Sequence, residues 1–193
     1  MKWYVLFVET GKEDMVREML SNRFDKDKLH CIVPKRRVSE RHKGLNYDTT
    51  KLLFPGYILI NTEMNFETYY KIKAIPKVYC LLNYRNNKYD ELKNYYSIKF
   101  YKDSNVEEQY FKELKKEDIS LILNLINGDG VIDYSEVFTV NSKVFVKSGP
   151  LVGNEAIIKK LDKRKGRAKI LLNFFDTSKL VDVGVIMLKH LST

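Results

Sequence analysis

The densest cluster of charged side chains lies in the segment KKLDKRKGRAK, at residues 159–169. Seven of its eleven residues are cationic, and Gly166 predicts a hairpin turn among them. Adjacent strands would bring these charges together, and such crowding requires either solvent or an anionic partner. The pattern indicates a phosphate-binding site, with a solvated hairpin as the alternative. The cations are Lys159, Lys160, Lys163, Arg164, Lys165, Arg167 and Lys169.

A second basic stretch, PKRRVSERHKGL, occupies residues 34–45. Gly44 marks a turn in it, so we expect an exposed hairpin or loop. Attraction to phosphates needs no sequence specificity and weakens with salt. A simply solvated loop is the alternative. The cations that would make such contacts are Lys35, Arg36, Arg37, Arg41 and Lys43.

No pattern in the sequence predicts catalysis or metal binding. The histidines His30, His42 and His190 have no adjacent nucleophile, and the chain contains no P-loop or dinucleotide-binding fingerprint. Cys31 and Cys80 lack the spacing of zinc ligands and are expected to be buried thiols. We therefore expect a protein that is not an enzyme and that holds no cofactor and no metal.

The net charge of +9 is unevenly distributed along the 193 residues. Residues 1–100 and 137–193 each carry a net +7, whereas residues 101–136 carry a net −5. Two basic blocks are typical of nucleic-acid binding, although lysine also serves solubility. The only apolar run near the start has six residues, too few for a signal peptide or a membrane span. We expect a cytoplasmic monomer without membrane contact.

The N-terminal half predicts the order strand, helix, strand, strand, helix, strand. Thr10 is the expected N-cap of the first helix, and Glu13 would complete a capping box. Asn65 is the expected N-cap of the second, which would end near Lys73. This order is that of a ferredoxin-like fold, an antiparallel sheet with helices packed on one face. The strands would be WYVLFV (3–8), LHCIV (29–33), YILI (57–60) and KVYCLLN (77–83).

The apolar run LLFPGYILI, at residues 52–60, contains Pro55-Gly56 at its centre. Proline cannot donate to a sheet ladder, so the pair is unsuited to a central strand. A turn or bulge here would allow the flanking rings of Phe54 and Tyr57 to differ in orientation, so that both need not be core. The alternative is a strand that enters the core, with Pro55 marking its edge.

The C-terminal half predicts a helix followed by a small β-barrel. Residues 84–113 are rich in tyrosine and phenylalanine and are expected to form an irregular insert. Residues 115–126 show helical spacing, and closely spaced strand patterns separated by turn signals follow. The expected organisation is a first domain at 1–126, a linker at 127–136 and a second domain at 137–193.

These segments together resemble the NusG family. WYVLFVETGKEDMVREML resembles the opening of its N-terminal (NGN) domain, CIVPKRRVSERHKG and KLLFPGYILI resemble the middle with its FPGY signature, and AIPKVYCLL resembles the closing strand. VFVKSGPLVGNEAIIKKLDKRKGRAKI resembles a KOW motif. The resemblance implies an α+β fold, in which a ferredoxin-like NGN domain, an antiparallel sheet with helices, precedes a small SH3-like β-barrel KOW domain.

The resemblance also implies a function in transcription elongation. In this family the NGN domain binds the clamp helices of the large RNA polymerase subunit, beside the FPGY segment. The stretch 34–45 would then point toward upstream or non-template DNA. The expected polymerase contacts are Phe54, Pro55, Gly56 and Tyr57, with Trp3 and Tyr4 bordering the patch.

Two departures from the general family pattern argue against its usual protein partners, and the extra basic hairpin and the tyrosine-rich insert point instead to a specialised paralog. Ala156 replaces a usual glycine, and NFFDTSKL (173–180) replaces a turn that supports contacts with ribosomal protein or termination factor. The chain most resembles LoaP-type factors, so processive antitermination is implied, with a nascent RNA hairpin bound by the cations of 159–169. The alternatives are a general NusG factor whose KOW domain binds protein partners, and a ribosome-associated KOW protein.

Overall fold

A computed structural model describes residues 1–82, 110–174 and 177–188. The chain has a mixed α/β fold and divides into two compact units. Unit 1 comprises Met1–Val33 and Pro55–Leu114, and unit 2 comprises Pro34–Phe54 and Lys115–Thr193. None of the described helices is long and apolar enough to cross a membrane. Most of the predicted insert, residues 84–109, lies outside the described residues.

The described elements are twelve strands and three α-helices of more than one turn. The helices are α1 Glu13–Arg23, α2 Phe66–Lys73 and α3 Lys116–Leu125. The strands are β1 Lys2–Val8, β2 Leu29–Ile32, β3 Lys35–His42, β4 Leu45–Leu52, β5 Tyr57–Thr62, β6 Val78–Leu81, β7 Val131–Ile132, β8 Ser135–Val140, β9 Lys143–Ser148, β10 Ile158–Asp162, β11 Arg167–Phe174 and β12 Thr177–Met187.

Unit 1 contains an antiparallel sheet with the strand order β2-β5-β1-β6. The order of strands and helices along this unit is the predicted one. Leu6, Val8, Ile58 and Ile60 are fully buried in the sheet, as expected for strands of such apolar sequence. The side chain of Asn65 accepts a 2.7 Å hydrogen bond from the Thr68 amide, which confirms the predicted cap of α2.

The predicted cap of α1 is wrong in its first member. The N-cap residue is Lys12, and no side chain caps the helix there. Glu13 does reach back, but its carboxylate accepts a 2.8 Å hydrogen bond from the Gly11 amide. Gly11 has a φ of +85°, a value that favours glycine and shifts the start of the helix beyond Thr10.

Unit 2 contains a five-stranded sheet with the order β10-β11-β12-β8-β9 and a three-stranded sheet with the order β4-β3-β7. Ala168, Ile170, Leu172 and Phe174 alternate along β11 and are all buried, which gives the period of two expected for one face of a strand. The predicted linker at 127–136 instead carries β7 and the start of β8. The two-residue β7 is too short to have been recognised from its pattern.

The predicted hairpin in the basic stretch is confirmed and is longer than expected. β3 and β4 pair from Lys35 with Leu52 to His42 with Leu45. Lys43 and Gly44 form the turn with φ values of 49° and 86°. The hairpin groups with the C-terminal segment, so the two units differ from the domain boundaries predicted at 126 and 137.

Pro55-Gly56 separates β4 from β5, which explains the turn signal within one apolar run.

Candidate nucleic-acid interface

The turn between β10 and β11 presents three of the exposed cations of the basic segment. Lys163, Arg164 and Lys165 are exposed in this turn. The Asp162 side chain accepts a 3.0 Å hydrogen bond from the Lys165 amide and so shapes the turn. Gly166 follows with a φ of +59°, and a Cβ there would lie 3.0 Å from the Val185 carbonyl oxygen. The turn therefore depends on its glycine, as the sequence predicted.

Some cations of this segment form hydrogen bonds or ion pairs within the protein, and others do not. Lys159 donates to the Ala156 carbonyl oxygen at 3.0 Å, and Lys163 donates to Thr139 Oγ1 at 2.9 Å. Lys169 Nζ lies 3.6 Å from Asp182 Oδ1. Among the described residues, no such partner is found for Lys160, Arg164 and Lys165. These three exposed side chains therefore carry the uncompensated charge of the segment.

Arg167 has a different environment from its neighbours. Its side chain is only 21% exposed. The Nη2 atom donates to the Ser39 carbonyl oxygen at 2.8 Å and lies 3.5 Å from Glu40 Oε1. Arg167 thus attaches the β3–β4 hairpin to β11 and has a structural role in unit 2.

Two of the cations predicted for DNA contact likewise bind partners within unit 2. Arg36 Nη1 donates to the Asp182 carbonyl oxygen, and burial lowers the pKa of the Arg36 guanidinium. Arg37 Nη1 forms an ion pair with Asp133 Oδ1 at 3.1 Å.

The other three cations predicted for DNA contact are Lys35, Arg41 and Lys43. Lys35 is half-buried. Arg41 Nε donates to the Gly44 carbonyl oxygen at 3.2 Å, and Arg41 and Lys43 are both exposed at the hairpin tip. Any phosphate contact made by the hairpin would therefore come mainly from its tip.

The hairpin and the β10–β11 turn line one groove of about 710 Å³, here called the hairpin groove. Its lining contains four cations and one carboxylate, so it favours an anion. The two basic stretches, predicted as separate contacts, are thus brought together. Their neighbourhood was not visible in the sequence because Ser39 and Arg167 are 128 residues apart. The lining residues are Ser39, Glu40, Arg41, Asn46, Arg164, Lys165, Gly166 and Arg167.

Unit 1 carries a cluster of partly exposed rings, here called the aromatic cluster, made of Phe7, Tyr57 and Tyr79. The ring centroids of Phe7 and Tyr57 are 5.4 Å apart, as are those of Phe7 and Tyr79. Tyr79 is 55% exposed. Phe7 and Tyr79 were not among the predicted contacts, although the strand register that places Phe7 opposite Tyr57 follows from the antiparallel sheet.

The other predicted polymerase contacts differ in exposure. Pro55 is exposed, whereas Gly56 and Tyr4 are buried. Trp3 is half-buried, with its ring edge-on to His30 at 6.2 Å. Phe54 is only 2% exposed and offers almost no surface to a partner in this structure.

Phe54 is held by aromatic packing within unit 2. Its ring stacks on Phe174 with centroids 4.1 Å apart and an interplanar angle of 12°. Lys179 Nζ lies 5.9 Å from the Phe54 ring centroid and 5.6 Å from that of Phe174. Phe54 is therefore a core residue, while Tyr57 is half-buried, so the two rings that flank Pro55-Gly56 differ in burial.

Glu13 fixes the turn that precedes Tyr57. Glu13 is 2% exposed, and its carboxylate accepts hydrogen bonds from the Gly11 amide at 2.8 Å and the Gly56 amide at 2.6 Å. Gly56 has a φ of +84°, and a Cβ there would lie 3.2 Å from both the Phe7 ring and Thr10 Oγ1. The sequence predicted only the local contact of Glu13, because Gly56 lies 43 residues further along the chain.

Comparison with known proteins gives consistent similarities along the whole chain. A family model described as "Transcription termination factor nusG" matches residues 1–101. "Transcription termination/antitermination protein NusG" of Rickettsia felis is 23% identical over 97% of this chain and 89% of its own length. The protein of the same name in Haemophilus influenzae is 25% identical over 94% of this chain and 90% of its own length.

Solved structures include one titled "Domain interaction in Thermotoga maritima NusG". That chain is 18% identical, and the match covers 95% of this chain and 93% of that chain with a TM-score of 0.48.

Proposed function

Because the chain belongs to the NusG family of transcription factors, we propose that it is a transcription termination/antitermination factor that acts on RNA polymerase. The names of the Rickettsia and Haemophilus relatives support this, since the similarity to each extends over at least 94% of the chain. In this proposal unit 1 serves as the ferredoxin-like NGN domain, and the five-stranded sheet serves as the SH3-like KOW domain.

The aromatic cluster is the proposed contact to the clamp helices of the large polymerase subunit. Exposed aromatic side chains supply much of the binding free energy at protein interfaces. Tyr79 and Tyr57, beside the exposed Pro55, have accessible surface that the buried Phe54 lacks. The contact would thus be made by rings of unit 1, of which Tyr57 directly follows the turn held by Glu13.

The finer proposal is that this factor promotes processive antitermination by binding a nascent RNA hairpin. The observation that carries it is the exposed set Lys160, Arg164 and Lys165, which lacks internal partners in the described part of the chain. Clustered cations attract phosphates, and arginine adds bidentate contacts. The exposed tip of the β3–β4 hairpin would extend this contact to RNA, or to upstream or non-template DNA.

A general NusG factor, whose C-terminal domain binds protein partners, is the second candidate. It is favoured by the internal contacts of Lys159, Lys163, Arg167 and Lys169, which reduce the charge available to nucleic acid. A structured RNA would then bind weakly and without preference over duplex DNA.

An RNA-binding titration of the full chain separates these candidates. A triple variant, Lys160→Ala, Arg164→Ala and Lys165→Ala, should bind a structured RNA hairpin at least roughly tenfold more weakly at physiological salt, with a salt slope reduced by about 2–3. The matched control is Lys12→Ala, Arg23→Ala and Lys26→Ala, which removes three exposed cations from unit 1.

The control triple should leave the affinity for the RNA hairpin near that of the wild type. If both triple variants lose the same amount of affinity for the RNA hairpin, the loss depends only on net charge and not on the position of the cations. Unchanged affinity in both would exclude the β10–β11 turn as the RNA site. Either of these results would favour the general factor.

A further inference from the structure

A second groove in unit 2 is formed by the two edge strands of its five-stranded sheet. The sheet order begins at β10 and ends at β9, so the described residues leave a gap between these edges. The gap is a groove of about 830 Å³, here called the edge groove. It is lined by Thr139, Asn141, Ser142, Lys143, Val144, Phe145, Glu155, Ala156, Ile158, Lys159, Lys160, Leu161 and Lys163.

The edge groove has a strong excess of positive charge. Lys143, Lys159, Lys160 and Lys163 line it together with a single carboxylate, that of Glu155. Lys163 is tied to Thr139 and Lys159 to a backbone carbonyl. Lys143 and Lys160 are exposed and have no partner among the residues that the structure describes. This charge balance favours an anionic occupant.

An exposed ring lies in the same groove. Phe145 is 43% exposed. Its ring stacks on Phe138 of the neighbouring strand, with centroids 5.5 Å apart and an interplanar angle of 17°. Phe138 therefore restrains the orientation of Phe145 before any partner arrives. An aromatic ring beside lysines is the combination that binds single-stranded nucleic acid, where bases stack on rings and cations follow the backbone.

We infer that the edge groove binds an unpaired segment of RNA, with one base stacked on Phe145 and the adjoining phosphates near Lys143 and Lys160. The inference rests on the proposed RNA-binding function and extends it. Phosphate attraction at the β10–β11 turn does not distinguish paired from unpaired RNA. A ring that stacks on a base does distinguish them, because the bases of a duplex are already stacked on one another and are not available to the ring. The edge groove thus favours unpaired RNA over a duplex.

The inference is tested by replacing the ring and keeping its apolar bulk. Phe145→Leu in the full chain is titrated with a fluorescent oligoadenylate and with a blunt RNA duplex of equal length. Loss of one stacked base should weaken binding of the single strand by roughly tenfold and leave duplex binding and the salt slope unchanged. Phe145→Tyr retains the ring and should bind the single strand as the wild type does.

Two further variants distinguish the contribution of stacking to RNA binding from that of charge and from the effect of removing any exposed side chain. Lys143→Ala should weaken single-strand binding and lower its salt slope by about one. Leu180→Ala removes a 57% exposed apolar side chain elsewhere in unit 2 and should change neither affinity. Thermal melting of each variant confirms that it is folded.

Each other outcome overturns the inference. If Phe145→Leu leaves single-strand affinity unchanged while the Lys160, Arg164 and Lys165 triple weakens RNA binding, stacking is excluded and the proposed function stands. If the wild type binds neither the single strand nor the duplex, the inference and the proposed RNA-binding function both fail. Binding of polyglutamate in place of RNA would identify the groove as a site for an acidic protein segment.

Discussion

Phe54 and Tyr57 flank the same Pro55-Gly56 pair but have different surroundings. Phe54 is stacked on Phe174 and buried, whereas Tyr57 is half-buried in the aromatic cluster. Residue type alone did not distinguish them, because both are aromatic and both adjoin a turn. Their burial does distinguish them, because Phe54 is a core residue and Tyr57 keeps part of its surface accessible.

This difference predicts that two alanine substitutions affect stability and polymerase binding differently. Phe54→Ala should lower the free energy of unfolding by about 3–5 kcal/mol, because it leaves a cavity beside Phe174. Tyr57→Ala should cost about 1 kcal/mol and should weaken binding to purified RNA polymerase. Urea denaturation and polymerase co-purification measure the two effects. Equal losses of stability would contradict the assignment.

Glu13 provides a second prediction for a single side chain. Glu13→Ala leaves the Gly11 amide and the buried Gly56 amide without their acceptor, so we expect a loss of about 3 kcal/mol in the free energy of unfolding. Glu18 is exposed on the same helix, and Glu18→Ala should change stability by less than about 0.5 kcal/mol. Urea denaturation of both variants is the measurement. A loss for Glu13→Ala no larger than that of the control would refute the proposed role of its carboxylate.

Among the elements, the β3–β4 hairpin is positioned by close packing against β12. A Cβ at Gly184 would lie 2.6 Å from the Arg37 carbonyl oxygen and 2.3 Å from Tyr134 Cε1, so only glycine fits there. The Tyr134 hydroxyl donates to Asp48 Oδ1 at 2.8 Å and so connects β4 to the chain beside β8. The exposed tip of the hairpin therefore projects from a fixed base.

The Tyr134 contact predicts a loss of stability at alkaline pH. Burial, followed by the bond to Asp48, raises the pKa of Tyr134 to about 12 from an ordinary value of 10.0. Because the folded state favours the neutral phenol, its stabilising effect is complete below pH 10 and is lost as the pH rises toward 12. The stability difference between wild type and Tyr134→Phe should therefore shrink over this range in urea denaturation. A constant difference would contradict this.

The elements that the sequence predicted are those with a clear apolar period. The alternation in β11 and the apolar runs of β1 and β5 identified these strands directly. β4, LNYDTTKL, has mostly exposed side chains and no apolar face, so nothing in its pattern predicted a strand. The hairpin groove and the edge groove depend on pairings between distant segments, which local patterns do not report.

At the scale of the whole molecule, the proposed contacts to polymerase and to nucleic acid belong to different units. The aromatic cluster lies in unit 1, and the basic turn and both grooves lie in unit 2. Two contacts on one chain raise the local concentration of each partner, so contacts that are weak separately bind tightly together. The net charge of +9 adds attraction that depends on ionic strength.

The most direct test is a single-round transcription assay with purified RNA polymerase. The template places a terminator downstream of a leader that encodes an RNA hairpin. We expect the wild-type protein to increase readthrough, the Lys160, Arg164 and Lys165 triple variant to lose this effect, and the Lys12, Arg23 and Lys26 control to retain it. Readthrough that is unchanged by saturating wild-type protein, or equal in wild type and triple variant, would contradict RNA-dependent antitermination by this chain.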